Sequence, residues 1–259
     1  MVKIVRHSFS EYIKKGELEY HDEVSPQKEK YKTIENRIKY KINDGRLSIV
    51  PFLVKELGVK GNILDMGGGT GWLSAELSKF PSVRKISCID ASEHLLRNVA
   101  PEIIKFLKGD ERKITLVIGD FHKLEFPKQS FDFVIFSASL HHIPEKNYRI
   151  VFEQIKKVLK KDGKLIAIRE PILPLLVPWR KYEVKRKERL NKTTENIYTR
   201  NGWATIFARN GFSCSFIPFV IVNKSSSLIN LLRKFVRATK FQNGLFFGYY
   251  VMLGKLKKK

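Results

Sequence analysis

Five short apolar runs lie between positions 63 and 170, separated by segments of helical spacing, and they leave this chain few folds to choose from. They are Ile63-Leu64-Asp65, Lys85-Ile86-Ser87-Cys88-Ile89-Asp90, Ile114-Thr115-Leu116-Val117-Ile118, Phe131-Asp132-Phe133-Val134-Ile135-Phe136-Ser137-Ala138 and Lys164-Leu165-Ile166-Ala167-Ile168-Arg169-Glu170. They are continuous in apolar residues rather than alternating, as parallel strands buried on both faces are. Between them, Leu95-Leu96-Val99 and Phe152-Ile155-Val158-Leu159 have the intervals of a helix face. Strand and helix in alternation predict an open, mostly parallel α/β sheet with helices on both faces and ligands at the carboxyl ends of the strands.

Polar residues collect at those ends. The first run leads into Met66-Gly67-Gly68-Gly69-Thr70-Gly71-Trp72, a G-x-G-x-G loop behind Asp65. A dinucleotide fingerprint would need glycine where Trp72 stands, and a P-loop would need Gly-Lys-Ser/Thr at its end. Taken alone, the loop reads equally as a tight strand–helix turn, since glycine lets the backbone turn and approach closely. Asp90, with Ala91 beside it, ends the second run, where a carboxylate can accept both hydroxyls of a ribose. Gly119-Asp120-Phe121 ends the third, Leu140-His141-His142-Ile143 follows the fourth, and Glu170 ends the fifth.

Asp65 to Gly71, Asp90, Gly119-Asp120-Phe121 and Phe131-Asp132-Phe133-Val134, taken in order, resemble the motifs of class I S-adenosylmethionine-dependent methyltransferases. The Leu-His-His-Ile-Pro segment at 140–144 is similar to the branch that includes quinone-biosynthesis enzymes and many small-molecule methyltransferases. The resemblance covers roughly residues 45–215. It implies a Rossmann-like sheet ending in two more strands, one antiparallel to the rest, with S-adenosyl-L-methionine as cofactor. It also implies that Gly67, Gly68, Gly69 and Gly71 pass close to the methionine part and ribose, with Asp65 organising the loop. Asp90 would bind the ribose hydroxyls, Asp120 and the Phe121 amide would read the adenine, and Ser137 and Ala138 would lie near the sulfonium.

Methyl transfer to a hydroxyl or acidic carbon needs positioning, exclusion of water and removal of a proton. Histidine suits the last task. His142 is favoured over His141, with Glu170 a second candidate; the same pair reads equally well as packing or capping residues. Trp72, Tyr148, Trp179 and Tyr182 are candidates for shaping the pocket. Ser137-Ala138-Ser139-Leu140 stands where amino methyltransferases of bases carry Asp/Asn-Pro-Pro-Tyr/Phe, and neither Cys88 nor Cys214 is placed for cytosine C5 chemistry. Few cysteines and no H-E-x-x-H pattern give an expectation of no metal.

Beyond the five runs, residues 1–58 are expected to form an N-terminal helical cap. Residues 59–259 form the methyltransferase domain, with 171–198, opening on a proline-rich stretch, as a substrate lid. Thr199 is a candidate cap for a helix carrying Trp203, Ile206 and Phe207, ended by Gly211. Residues 212–222 and 246–253 read as strands, with a basic amphipathic helix around 228–236 between them. A net charge of +23, with no acidic residue after Glu195, points to anionic partners. The absence of a long apolar run or a signal-like start leads to an expected cytoplasmic location. The expected acceptor is a small or lipid-linked, anionic molecule. The alternatives are an RNA methyltransferase using the basic C-terminal third, contact of that region with an anionic membrane surface, or a non-catalytic S-adenosylmethionine-binding partner protein.

Overall fold

A computed structural model of the chain describes residues 2–12, 32–43, 46–173, 179–191, 193–219 and 249–257. The five apolar runs are its five central strands: β2 (Gly61–Met66), β3 (Val83–Asp90), β4 (Ile114–Ile118), β5 (Phe131–Ser137) and β6 (Leu159–Ile168). β1 (Lys3–Arg6), β7 (Phe212–Phe219) and β8 (Tyr249–Leu256) complete an eight-stranded sheet in the order β1-β4-β3-β2-β5-β6-β8-β7. Among the described strands only β8 runs against its neighbours, antiparallel to both β6 and β7. The expected pair of late strands with one reversed is therefore present.

The first twelve residues correct the expectation of a purely helical N-terminal cap. Lys3–Arg6 pairs in parallel with Thr115–Ile118, extending the sheet by an edge strand. Helices follow it: α1 (Ile34–Asn43) and α2 (Ile49–Lys55). β6 also begins earlier than its apolar run, at Leu159, with an irregular register between Phe131 and Phe133 that takes up Lys160-Lys161-Asp162-Gly163. The helix expected around 228–236 and positions 174–178 of the proline-rich stretch lie outside the described residues.

Alternate side chains of each strand feed two cores, one per face. On one face Ile63, Ile86, Leu116 and Ile135 meet α2, α3 (Trp72–Ser78) and α4 (Ala100–Phe106). On the other, Leu64, Met66, Val134 and Leu165 meet α5 (Tyr148–Val158) and α7 (Arg200–Arg209). A π-helical turn, Leu95–Val99, precedes α4. α6 (Arg180–Asn191) is strongly basic. Thr199 caps α7, its side chain accepting from the Gly202 N–H at 3.1 Å, and Gly211 takes a positive φ beyond the helix end.

Candidate active site

The chain leaves β2 for β3 and β4 on one side and for β5 on the other, so the carboxyl ends of β2 and β5 flank the point where the winding reverses. In open α/β sheets ligands bind there. The structure has an open cleft of about 830 Å³ at this place, lined by Gly67, Gly69, Asp90, Ala91, Asp120, Phe121 and Ala138 among the residues expected to meet a cofactor. His142 also lines it. Leu95, Ser139, Ile143, Pro144, His122, Thr194 and Tyr12 line it too, and the sequence reasoning did not select any of them for the site.

The glycine loop is held against its surroundings by close packing. Gly67 has φ +71°, and a Cβ there would stand 2.5 Å from Ser139 Cβ; at Gly68 a Cβ would run into Cys88 Sγ. The Gly67 and Gly68 N–H groups donate to Ile89 O at 2.8 and 3.1 Å, tying the loop to the end of β3. Asp90 receives the Gly69 N–H on Oδ2 at 2.8 Å and the Ser92 N–H on Oδ1 at 2.9 Å, which fixes its carboxylate at the cleft. Asp65, Gly68, Gly71, Gly119 and Ser137 are not among the lining residues. Asp65 is fully buried beneath the loop, accepting from Ser74 Oγ at 2.7 Å. Burial pushes its carboxyl up to about 7, helped by the negative charge of Asp90 and opposed by the Ser74 hydrogen bond.

Asp120 is enclosed by the N-terminal segment. Its Oδ2 accepts the Ser10 N–H at 2.6 Å, and its Oδ1 accepts the His122 N–H at 2.7 Å and the Ser10 hydroxyl at 3.1 Å, with His122 Nδ1 at 3.0 Å. Burial raises this carboxyl, but the bonds from His122 and Ser10 outweigh it and hold it below the ordinary range. Tyr12 packs on the His122 ring at 5.5 Å, so the segment after β1 closes this end of the cleft.

The other end is built by two left-handed residues. Ala138 (φ +55°) and Arg169 (φ +63°) turn the chain sharply as it leaves β5 and β6. The turns bring the N–H groups of Ser139, Leu140 and His141 onto the Glu170 carboxylate, each at 3.1 Å, and His141 Nδ1 onto Glu170 Oε2 at 2.6 Å. The Glu170 side chain is 1% exposed. It therefore anchors the short 3₁₀ turn Leu140–His142 from behind rather than facing the cleft as its place at a strand tip suggested. His141 shares that inner position, and His142 faces the cleft. The two rings lie 4.1 Å apart. His142 Nδ1 is 2.8 Å from Thr194 O, and His141 Nε2 is 3.5 Å from Glu195 Oε2. The strand of chain carrying Thr194 and Glu195 is clamped on the turn by Asn196, whose N–H donates to His141 O at 3.0 Å and whose Nδ2 donates to Ile143 O at 2.8 Å.

The four aromatic candidates are elsewhere. Trp72 and Tyr148 are buried in the two cores, Trp179 and Tyr182 are exposed, and none lines the cleft. Aromatic size alone carried that expectation, and the cores absorbed it.

Residues 63–163 match a family model described as a methyltransferase domain. Those residues are a methyltransferase domain by that match. Among its relatives, a demethylmenaquinone methyltransferase from Staphylococcus aureus (strain MRSA252) is 30% identical over 128 residues, 48% of this chain and 50% of the relative. The chain thus spans about half the length of the curated relatives it matches. Two solved structures share the fold. A Burkholderia thailandensis 1,6-didemethyltoxoflavin-N1-methyltransferase with S-adenosylhomocysteine bound is 15% identical with a TM-score of 0.57, over 86% of this chain and 83% of the other. A geranyl diphosphate methyltransferase in complex with GPP and sinefungin is 14% identical with a TM-score of 0.55, over 80% and 77%. The methyltransferase domain explains why the glycine loop, Asp90 and Asp120 meet at one cleft: they close the carboxyl ends of three successive strands.

Proposed function

We propose that the chain transfers a methyl group from S-adenosylmethionine to a small or lipid-linked acceptor in this cleft. The observation that carries the reading is the convergence, in one cleft, of the glycine loop, the Asp90 carboxylate and His142 on the domain just identified. The cleft fits the group in its local geometry: the loop backbone at Gly67 and Gly69 lies open to it, and Asp90 offers an acceptor-only carboxylate suited to ribose hydroxyls. When bound, S-adenosylmethionine supplies a methyl carried on a sulfonium. Gly67, Gly69, Asp90 and Ala91 would hold its methionine and ribose end. Asp120, Phe121, His122 and Tyr12 would enclose the adenine, with the N-terminal segment as one wall of the site. Ala138 and Ser139 would stand near the sulfonium.

His142, Ile143, Pro144 and Thr194 would form the acceptor side. The Thr194 carbonyl only accepts, so His142 Nδ1 carries the proton and Nε2 the lone pair, the tautomer that can take a proton from an acceptor hydroxyl. Glu170 and His141 are positioning residues that hold the turn. Thr194 to Asn196 would form one wall of the acceptor side, through the clamp of Asn196 on the turn. The names of the quinone-precursor and geranyl diphosphate enzymes support an acceptor of that size and partly apolar character.

The test is twofold. Asp90→Ala is expected to weaken S-adenosylhomocysteine binding at least tenfold by calorimetry, and unchanged affinity would remove Asp90 from the site. Methyl-labelled S-adenosylmethionine supplied to extract is expected to label organic-soluble or small polar material; label confined to nuclease-sensitive material would replace this reading with RNA methylation.

A further inference from the structure

Two imidazoles and a carboxylate meet at the acceptor end of the cleft. His141, His142 and Glu195 each present a ligand atom, and these atoms lie within 4.8 Å of one another. The hydrogen bonds engage one nitrogen of each ring. His142 Nδ1 is turned to the Thr194 carbonyl at 2.8 Å and His141 Nδ1 to the Glu170 carboxylate at 2.6 Å, so each ring directs its Nε2 away from its holder. His141 Nε2 is 3.5 Å from Glu195 Oε2. In metal sites the ligating histidine nearly always has its other nitrogen held by a carboxylate or a backbone carbonyl. This cluster has one of each, already formed.

We propose that His141 Nε2, His142 Nε2 and the Glu195 carboxylate bind a divalent first-row transition-metal ion. Metal–nitrogen bonds near 2.1 Å place neighbouring ligand atoms roughly 3–3.5 Å apart, and His141 Nε2 and Glu195 Oε2, at 3.5 Å, already stand at that spacing. The backbone on both sides is already fixed, the turn by Glu170 and the Thr194–Asn196 stretch by its bonds to His141 O and Ile143 O. Three protein ligands leave coordination positions open, and His142 and Thr194 line the cleft, so those positions face the acceptor.

The acceptor's part rests on the methyltransferase reading: a hydroxyl reaching an open position of the ion would be the group methylated. A hydroxyl held by the ion would lose its proton more readily, and the His142 Nε2 lone pair that takes that proton in the metal-free site would then be given to the ion. An ion bound here would run against the sequence expectation of no metal. Glu195 comes from a loop far along the chain from the two histidines, a separation no short motif records.

The experiment titrates the full, chelator-treated chain with Co²⁺, followed by visible d–d absorption and by equilibrium dialysis, with S-adenosylhomocysteine affinity measured on the same protein. One equivalent of Co²⁺ is expected, displaced by Zn²⁺, with affinity at least tenfold weaker in Glu195→Gln and His142→Ala and unchanged in His94→Ala. Glu170→Gln is expected to weaken it about 10-fold or more through the ring it holds. Failure to bind Co²⁺, or parental affinity in Glu195→Gln, overturns the proposal. Because cofactor affinity is read separately, a lost metal site with intact S-adenosylhomocysteine binding leaves the methyltransferase reading standing. The converse result leaves the metal site.

Discussion

Asp65, the last residue but one of β2, has no exposed surface, and among the described residues its Oδ1 has no hydrogen-bond partner. In an unfolded chain such a carboxyl ionises near 3.8; here burial moves it to about 7. Below pH 4 both states hold the proton and the residue does not affect the balance between them. Between pH 4 and 7 only the folded state holds it, so stability falls as pH rises, by on the order of a few kcal/mol in full, and the loss is complete above pH 7. Asp65→Asn keeps an acceptor for the Ser74 hydroxyl and removes the charge. It is expected to raise Tm at pH 8 and to change it little at pH 4; thermal unfolding across that range checks this, and a pH-independent difference would contradict it. At this scale the sequence was legible where a residue follows a strand directly, as with Gly67, Asp90 and His142. It was silent on Thr194, Glu195 and Tyr12, which reach the cleft from polar stretches without periodicity. Glu170 was selected as a candidate base because it follows a strand tip, yet it turns inward, since an acid at a strand end is held by whichever donors converge there.

Helix α5 shows the same physics at the level of an element. Phe152 is fully buried, and its ring meets Tyr148, Phe207 and Phe212 edge to face at 6.3, 5.4 and 5.6 Å. It thereby joins α5, α7 and β7 in a single aromatic cluster. Phe152→Ala is expected to destabilise the fold by about 3–5 kcal/mol, read as a lower denaturant midpoint. If α7 is held chiefly through this ring, the loss of Trp203 near-ultraviolet ellipticity will coincide with it. The Phe152-Ile155-Val158 spacing made α5 legible, and the continuous apolar runs did the same for the central strands. β1 escaped notice because Lys3-Ile4-Val5-Arg6 is four residues with a charge at each end, too short for any period to show. The early start of β6 was hidden by Lys160-Lys161-Asp162-Gly163, which reads as a turn and is accommodated as a register irregularity.

Over the whole molecule, a formal charge of +23 makes the surface a strong attractor of anions. If the acceptor is anionic, KM is expected to rise severalfold between about 20 and 300 mM salt while kcat holds, because screening shortens the reach of the field without touching the cleft's short contacts. Steady-state kinetics over that range checks this, and a flat KM would assign an uncharged acceptor. The sheet also carries a consequence for how the molecule is made. β8 lies between β6 and β7 although it follows both in the chain, and among the described residues β7 pairs with no other strand. During vectorial synthesis β6 and β7 therefore both leave the ribosome before the strand that lies between them, which comes only with residues 249–256. The assembly is completed late by a single insertion, and the waiting edges are the stage at which a chaperone would be most useful.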